Sequence, residues 1–325
     1  MSKNLPSMAV YTSVSSAELE TFLSDFDLGK LVSHQGIDGG IENTNYFVTL
    51  ETDQGETAEY VLTLFEELTM DEMPYFVELT TWLANRQISV PHPMQDRNGI
   101  ALKSLKQRPT LIQPRFAGGH LASLTPDHCA QIGKALAQFH KAGNDFYMQR
   151  QAHRGVFWWR RESAAIASKL TAEDAGLLRT EVTLFDELRE QPNDLPMGVI
   201  HGDLFFDNAL FDGDALSAII DLYNACTGYL LYDLAIVAND WCVNPDGSID
   251  SERETALLQA YANERPFTAG EHKAWAQLTR TAAMRFWLSR LIPWLDENST
   301  QKLKDPDELK QILLQRIQHP GQLPV

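Results

Sequence analysis

Residues 199–211 carry His201, Asp203 and Asn208 between two apolar segments, and a second carboxylate, Asp221, follows the apolar run 216–220. An acid five positions ahead of an asparagine, with another acid beyond a short apolar run, suits transfer of a phosphoryl group to a hydroxyl. Such a reaction needs a carboxylate that takes or orients the acceptor's proton, and Asp203 can supply it. It also needs hard oxygen ligands for Mg2+, which the Asn208 amide and the Asp221 carboxylate can supply. His201 stands with Asp203 as a candidate catalytic residue, although it suits bracing the loop by hydrogen bonding better than proton transfer. A structural turn would explain a bare His-x-Asp. His-Gly-Asp-Leu-x-x-x-Asn followed by Ile219-Ile220-Asp221 is far more specific. No further His lies at ligand spacing, and oxygen donors favour Mg2+ over a transition metal.

Elements on both sides must hold these groups. The cluster sits at a strand-to-loop junction after Val199 and Ile200. Residues 209–211, the Asp212-Gly213 turn and residues 216–220 predict a hairpin that delivers Asp221. Pro126 after Thr125 predicts a helix start, with Ile132, Leu136 and Phe139 facing a core and His140 closing the helix. Apolar spacing predicts further helices over 173–190, Leu230–Trp241, 253–263, 271–295 and 307–317, with Pro293 kinking or ending the fourth of these.

The first 114 residues read differently. Ser15 and Glu18 form a capping box for a short helix before Leu28. Strands are predicted over 31–35, 46–50, 59–65 and 110–114, and an amphipathic helix over 73–86. Asp96-Arg97-Asn98-Gly99 signals a hairpin turn between two short strands, and residues 106–109 signal another turn. The sum is a small antiparallel sheet of five strands with one helix inserted after the third. Between the first two strands, Gly39 and Gly40 would let backbone N–H groups approach a phosphate. Glycine hairpins that bind nothing are commoner. Residues 115–120 (RFAGGH) suit a hinge. The expected architecture is therefore α+β and two-lobed: a sheet lobe over 1–114, a hinge over 115–120, and a mainly helical lobe over 121–325.

The 325 residues are 44% hydrophobic and 22% charged, with a formal net charge of -17, which allows two lobes and a sizeable core. That acidity argues against a nucleic-acid partner, because phosphate contacts need clustered Lys and Arg. The expected partner is a small molecule. Cys129, Cys226 and Cys242 form no C-x-x-C pair and fit buried apolar positions in a reducing cytoplasm. The first residues lack an uninterrupted apolar segment, and no run approaches the ~18 apolar residues of a membrane span.

Residues 201–204, Asn208 and residues 219–221 resemble the aminoglycoside phosphotransferase and choline kinase superfamily, and within it the bacterial homoserine kinases. Residues 39–46, 60–66, 73–76, 231–236, 239–242 and 283–291 support the resemblance, which covers nearly the whole chain. It implies a protein-kinase-like fold and ATP-dependent phosphorylation of L-homoserine to O-phospho-L-homoserine, a step in threonine biosynthesis. It also implies Asp203 as the base, Asn208 and Asp221 as Mg2+ ligands, and the 36–45 loop, with Gly39, Gly40, Asn43 and Asn45, covering the ATP phosphates. Gln113, Arg115 and Phe116 would meet adenine, and Asp233 would steady the catalytic loop.

One departure stands out. Kinase-like folds carry a Lys on the third strand, and here Thr63 holds that position. Lys103 and Lys106 are the replacement cations to consider, with Glu72 or Glu78 as a helix partner. A zwitterionic acceptor needs a carboxylate near its ammonium and a cation near its carboxylate. Tyr223 and Asn224 would lie beside it, and Asp240, Trp241 and Arg285 could complete the pocket. A choline-type or ethanolamine acceptor would instead need an aromatic cage, for which Tyr223, Trp241 and Trp287 supply rings. Methylthioribose and aminoglycosides are further acceptors to consider, the latter needing a wide acidic cleft. A non-catalytic nucleotide-binding scaffold is a different class, which retention of Asp203, Asn208 and Asp221 argues against.

Overall fold

The computed structural model describes residues 11–37, 43–191, 194–296 and 304–325. The chain divides into two compact units, Met1–Ala117 and Gly118–Val325.

The first unit opens with α1 (Ser16–Leu23), which starts on the expected capping box. Ser15 and Glu18 exchange side-chain-to-backbone hydrogen bonds. Then follow β1 (Lys30–Gly36), β2 (Asn43–Glu51), β3 (Thr57–Phe65), α2 (Met73–Ala84), β4 (Lys103–Leu105) and β5 (Arg108–Pro114). The five strands form one sheet in the order β1-β2-β3-β5-β4, every neighbouring pair antiparallel. Alternation along β2 buries Tyr46, Val48 and Leu50 on one face. They pack with Phe22, Phe26, Leu62, Leu64 and Ile112 into one core.

Asp96–Gly99 does turn the chain, but no strand flanks it. Asp96 caps the turn itself, its Oδ1 accepting the N–H groups of Asn98 and Ile100 at 2.9 Å each. The β4–β5 hairpin turns instead at Lys106 and Gln107, whose φ angles are 54° and 61°. The turn expected over 106–109 thus forms on a Lys-Gln pair, although two positive φ values usually call for Asn or Gly.

The second unit runs α3 (Pro126–Gly143), α4 (Val156–Ile166), α5 (Ala172–Glu190), β6 (Met197–Ile200), β7 (Ala209–Asp212), β8 (Ala215–Ile219), β9 (Cys226–Tyr229), α6 (Leu230–Trp241), α7 (Ser251–Glu264), α8 (Ala269–Trp294) and α9 (Pro306–Gln318). Helices dominate, and the strands form two antiparallel pairs, β6 with β9 and β7 with β8. Pro126 sits in the first turn of α3, with Thr125 capping it. Pro293 lies at the C-terminal end of α8, which stops one residue later. That helix is buried along much of its length by Trp275, Leu278, Ala282, Met284, Trp287 and Leu288. Cys129, Cys226 and Cys242 are all buried.

The glycine pair read as part of a hinge is pinned to a strand. Gly119 and Phe211 exchange two backbone hydrogen bonds, at 3.0 and 2.9 Å. Gly118 has φ +95°, and a Cβ there would lie 2.1 Å from the Phe211 carbonyl oxygen. Only glycine allows that approach. Among the described residues no helix is long and apolar enough to cross a membrane.

Candidate functional site

β6 is buried at Val199 and Ile200 and pairs with β9, so the chain leaves the sheet at His201 from a fixed point. α6 follows β9 directly and runs against the same loop. Asp233, in the first turn of α6 and 0% exposed, receives the loop backbone. Its Oδ2 accepts the His201 N–H at 2.7 Å and its Oδ1 the Gly202 N–H at 2.8 Å. Oδ2 also meets Nε2 of His140, on α3, at 3.0 Å. Burial disfavours the Asp233 charge, but the His140 hydrogen bond, the two histidines and the Gly202 N–H outweigh it and hold the carboxyl below its ordinary value.

His201 uses both ring nitrogens within the loop. Nε2 faces the Ile220 carbonyl oxygen at 2.9 Å, and Nδ1 accepts the Asp203 N–H at 3.3 Å. This is the pattern of a neutral ring with its proton on Nε2. Burial pushes its pKa down, which keeps it neutral. Both ring nitrogens are thus engaged within the loop, which is the bracing arrangement expected of His201.

Ile220 ties the two halves of the site together. Its C=O accepts from His201, and its N–H donates to the Asn208 carbonyl at 2.9 Å. Asp221 comes next, in the left-handed region at φ 61°, ψ 55°. Few non-glycine residues sit there, Asp and Asn among the better tolerated, and such strain concentrates at functional positions. Asp221 itself is exposed. Asn208 donates Nδ2 to the Asp203 carbonyl at 2.8 Å, which leaves Oδ1 without a protein donor among the described residues. Asp203 is partly exposed. The arrangement presents two carboxylates and one amide oxygen on a rigidly knotted loop. Among the described residues no group of three or more His, Cys, Asp and Glu forms a metal cage. An oxygen-donor set this small suits Mg2+, which keeps phosphate oxygens and waters in its shell.

Other expected acceptor residues divide. Asn224 packs on the loop, since a Cβ on Gly202 would lie 2.9 Å from its carbonyl oxygen. Tyr223 is half-buried beside it in the short turn Leu222–Asn224. Asp240 reaches the loop from α6, its Oδ2 accepting the Phe206 N–H at 2.6 Å. Trp241 is 0% exposed and donates Nε1–H to the Leu204 carbonyl at 3.2 Å, so it props the loop from beneath. Trp287 is likewise buried, so neither ring is presented for a cage. Arg285 is buried, with its guanidinium 3.8 Å from the Phe286 ring centre, and Phe286 meets Phe205 edge-on at 4.5 Å.

In the first unit the strand position expected to hold Lys is filled by a neutral pair. Thr63 is 4% exposed and its Oγ1 donates to Asn45 Oδ1 at 2.7 Å across β2 and β3. Lys103 pairs with Asp25 and with Asp96, the latter at 2.9 Å, and Lys106 pairs with Glu18. Neither replacement cation is uncommitted. Glu72 bonds Thr69 just before α2, and Glu78 is exposed on it. Asn43 opens β2 opposite Phe65. Gln113 is buried in β5 with Nε2 on the Pro91 carbonyl, Arg115 pairs with Glu59 at 3.1 Å and lies over the Phe47 ring, and Phe116 is half-buried. Gly39 and Gly40 lie outside the described residues.

Two contributors had escaped the reading of the sequence. His140 lies in the last turn of α3, and Tyr261 on α7 puts its OH 2.7 Å from His140 Nδ1. A histidine on an otherwise apolar helix face was the available signal for the first, and nothing local marks the second.

Residues 33–267 match the phosphotransferase enzyme family. The chain is 43% identical to a homoserine kinase of Pseudomonas aeruginosa, over 88% of this chain and 89% of that one. It is 44% identical to a homoserine kinase of Methylobacillus flagellatus, over 95% and 96% respectively. An amicoumacin kinase solved with AMP-PNP and Ca2+ superposes with a TM-score of 0.70 at 13% identity, over 94% of this chain and 93% of that one. That likeness fixes the fold as the protein-kinase-like one, with its antiparallel-sheet first unit and mainly helical second unit. With a match over most of its length and relatives this close, the chain belongs to the phosphotransferase enzyme family.

Proposed function

We propose that the protein is an ATP- and Mg2+-dependent kinase that phosphorylates the side-chain hydroxyl of L-homoserine to give O-phospho-L-homoserine, a step of threonine biosynthesis in the cytoplasm. The observation that carries the chemistry is the knot at Ile220, which ties the loop of Asp203 and Asn208 to Asp221 through the His201 ring on its carbonyl and one backbone hydrogen bond from its N–H to Asn208. The names of relatives at 43% and 44% identity support the acceptor.

In this reading Asp203 takes the acceptor hydroxyl's proton as its oxygen attacks the γ-phosphoryl group. Asn208 Oδ1 and Asp221 are the metal ligands. When bound, Mg2+ supplies neutralisation of the charge developing on the phosphates. His201, Asp233 and Trp241 keep the loop from moving, which holds Asp203 in attacking geometry. Tyr223, Asn224 and Arg285 are the side chains offered to the acceptor, Arg285 as the cation for a carboxylate. The first unit is assigned the nucleotide, through Asn43, Asn45, Gln113, Arg115 and Phe116. No Lys stands on β3, so backbone donors and Mg2+ carry the grip on the phosphates there.

A coupled ADP-release assay with Mg-ATP tests this across L-homoserine, choline, ethanolamine, methylthioribose and kanamycin. Turnover with L-homoserine far above the others is expected. Turnover confined to another acceptor, or nucleotide binding without turnover on any of them, would overturn it.

A further inference from the structure

α6 carries two acids, and both contact the same loop. Asp233 is wholly buried and fully used, whereas Asp240, two turns further on, is partly exposed. Its Oδ2 accepts the N–H of Phe206, which lies between Asp203 and Asn208, and its Oδ1 has no donor among the described residues. Asp207 from the loop, Arg290 from α8 and Lys304 from the segment before α9 supply the charges around it. Arg290 is occupied by Glu308 at 2.6 Å and by the Asp305 carbonyl, and Lys304 stands 3.6 Å from Asp207. Burial pushes the Asp240 carboxyl up to about 7 and Asp207 adds to this, against the Phe206 N–H and the two cations. A carboxylate held rigidly against the loop, with one oxygen open and its charge poorly compensated, gains most from a cation that a ligand brings.

We infer that Asp240 binds the ammonium group of the acceptor and thereby selects an amino-acid alcohol over an alcohol without a charged amine. This rests on the homoserine reading and names the contact that would enforce it. The alternative role, capping the turn at Phe206, needs only an acceptor oxygen. Asp240→Asn keeps such an oxygen and removes the charge, so it separates the two.

The experiment compares wild type and Asp240→Asn in steady-state kinetics with L-homoserine and with 4-hydroxybutanoate, the same chain without the amine. A charged hydrogen bond of this kind corresponds to roughly a 10- to 100-fold change. The variant should raise KM for L-homoserine by about that factor, change kcat less than about threefold, and leave KM for ATP unchanged. Wild type should prefer L-homoserine by a similar factor, and the variant should erase that preference. Unchanged KM for L-homoserine, or equal losses on both acceptors, would overturn the assignment and leave Asp240 as a cap. Should the variant melt below the assay temperature, the wild-type comparison decides, and equal kcat/KM on the two acceptors would refute it. Failure of wild type to turn over L-homoserine would overturn the kinase reading and this assignment together.

Discussion

Oδ2 of Asp233 accepts the main-chain N–H of His201 at 2.7 Å while it faces Nε2 of His140 at 3.0 Å. One buried oxygen thus ties α3, α6 and the start of the 201–208 loop. Asp233→Asn would present an amide N–H2 to one of these donors. Losing one partner of a buried charged network costs on the order of 3 kcal/mol. The expected outcome is a fall of about that size in denaturation free energy and a kcat drop of at least roughly 100-fold, with Asp203 displaced. Wild-type kcat in a folded variant would contradict it.

Tyr261 acts one bond further out. Burial pushes its phenol pKa up, so the OH stays protonated and donates to His140 Nδ1, leaving Nε2–H for Asp233. Tyr261→Phe should cost about 1 kcal/mol and reduce kcat far less than Asp233→Asn. An equal or larger kcat loss in Tyr261→Phe would reverse the proposed order.

Gly202 has φ +77°, and a Cβ there would press on the Asn224 carbonyl. Gly202→Ala should lose about 1–2 kcal/mol for the left-handed backbone, plus activity as the loop shifts. Gly213, at φ +61° with open space around it, is the control. Gly213→Ala should lose stability on a similar scale while kcat holds. Thermal melts and single-acceptor rates separate the two.

The Asp240 carboxyl has a folded pKa pushed up to about 7, against about 4 in an unfolded chain. Between these values the folded state keeps a proton that the unfolded state has lost, so this group's contribution to stability declines as pH rises from about 4 to 7. It is fully present below pH 4 and lowest above 7. Asp240→Asn has no such titration. Its melting temperature relative to wild type should therefore be most favourable at pH 8 and least at pH 4. A pH-independent difference would contradict the raised pKa.

Lys103 and Lys106 are each paired with carboxylates of their own unit. Lys103→Gln and Lys106→Gln should each leave KM for ATP within about twofold, because an exposed or already neutralised cation contributes little. A tenfold rise in either would place that lysine on the phosphates.

Much of the architecture could be read locally. The Ser15 capping box, the alternation of β2 and the proline start of α3 are set by neighbours a few residues apart, where propensity and period decide. The grouping of His201, Asp203, Asn208 and Asp221 was legible for the same reason, since one loop and one hairpin carry all four. Partners distant in the chain were not. His140 meets Asp233 across 93 positions and Tyr261 across 121, and no pattern links them before the helices pack. Only the fold supplied the partners with which His201 braces the loop, buried Trp241 and Trp287, and neutralised Lys103 and Lys106 with Asp25, Asp96 and Glu18. The sequence by itself determined which groups are present and the order in which strands and helices deliver them. Tertiary packing decided which of those groups are already satisfied, because a donor, acceptor or charge is spent only when folding brings its partner within a few ångströms.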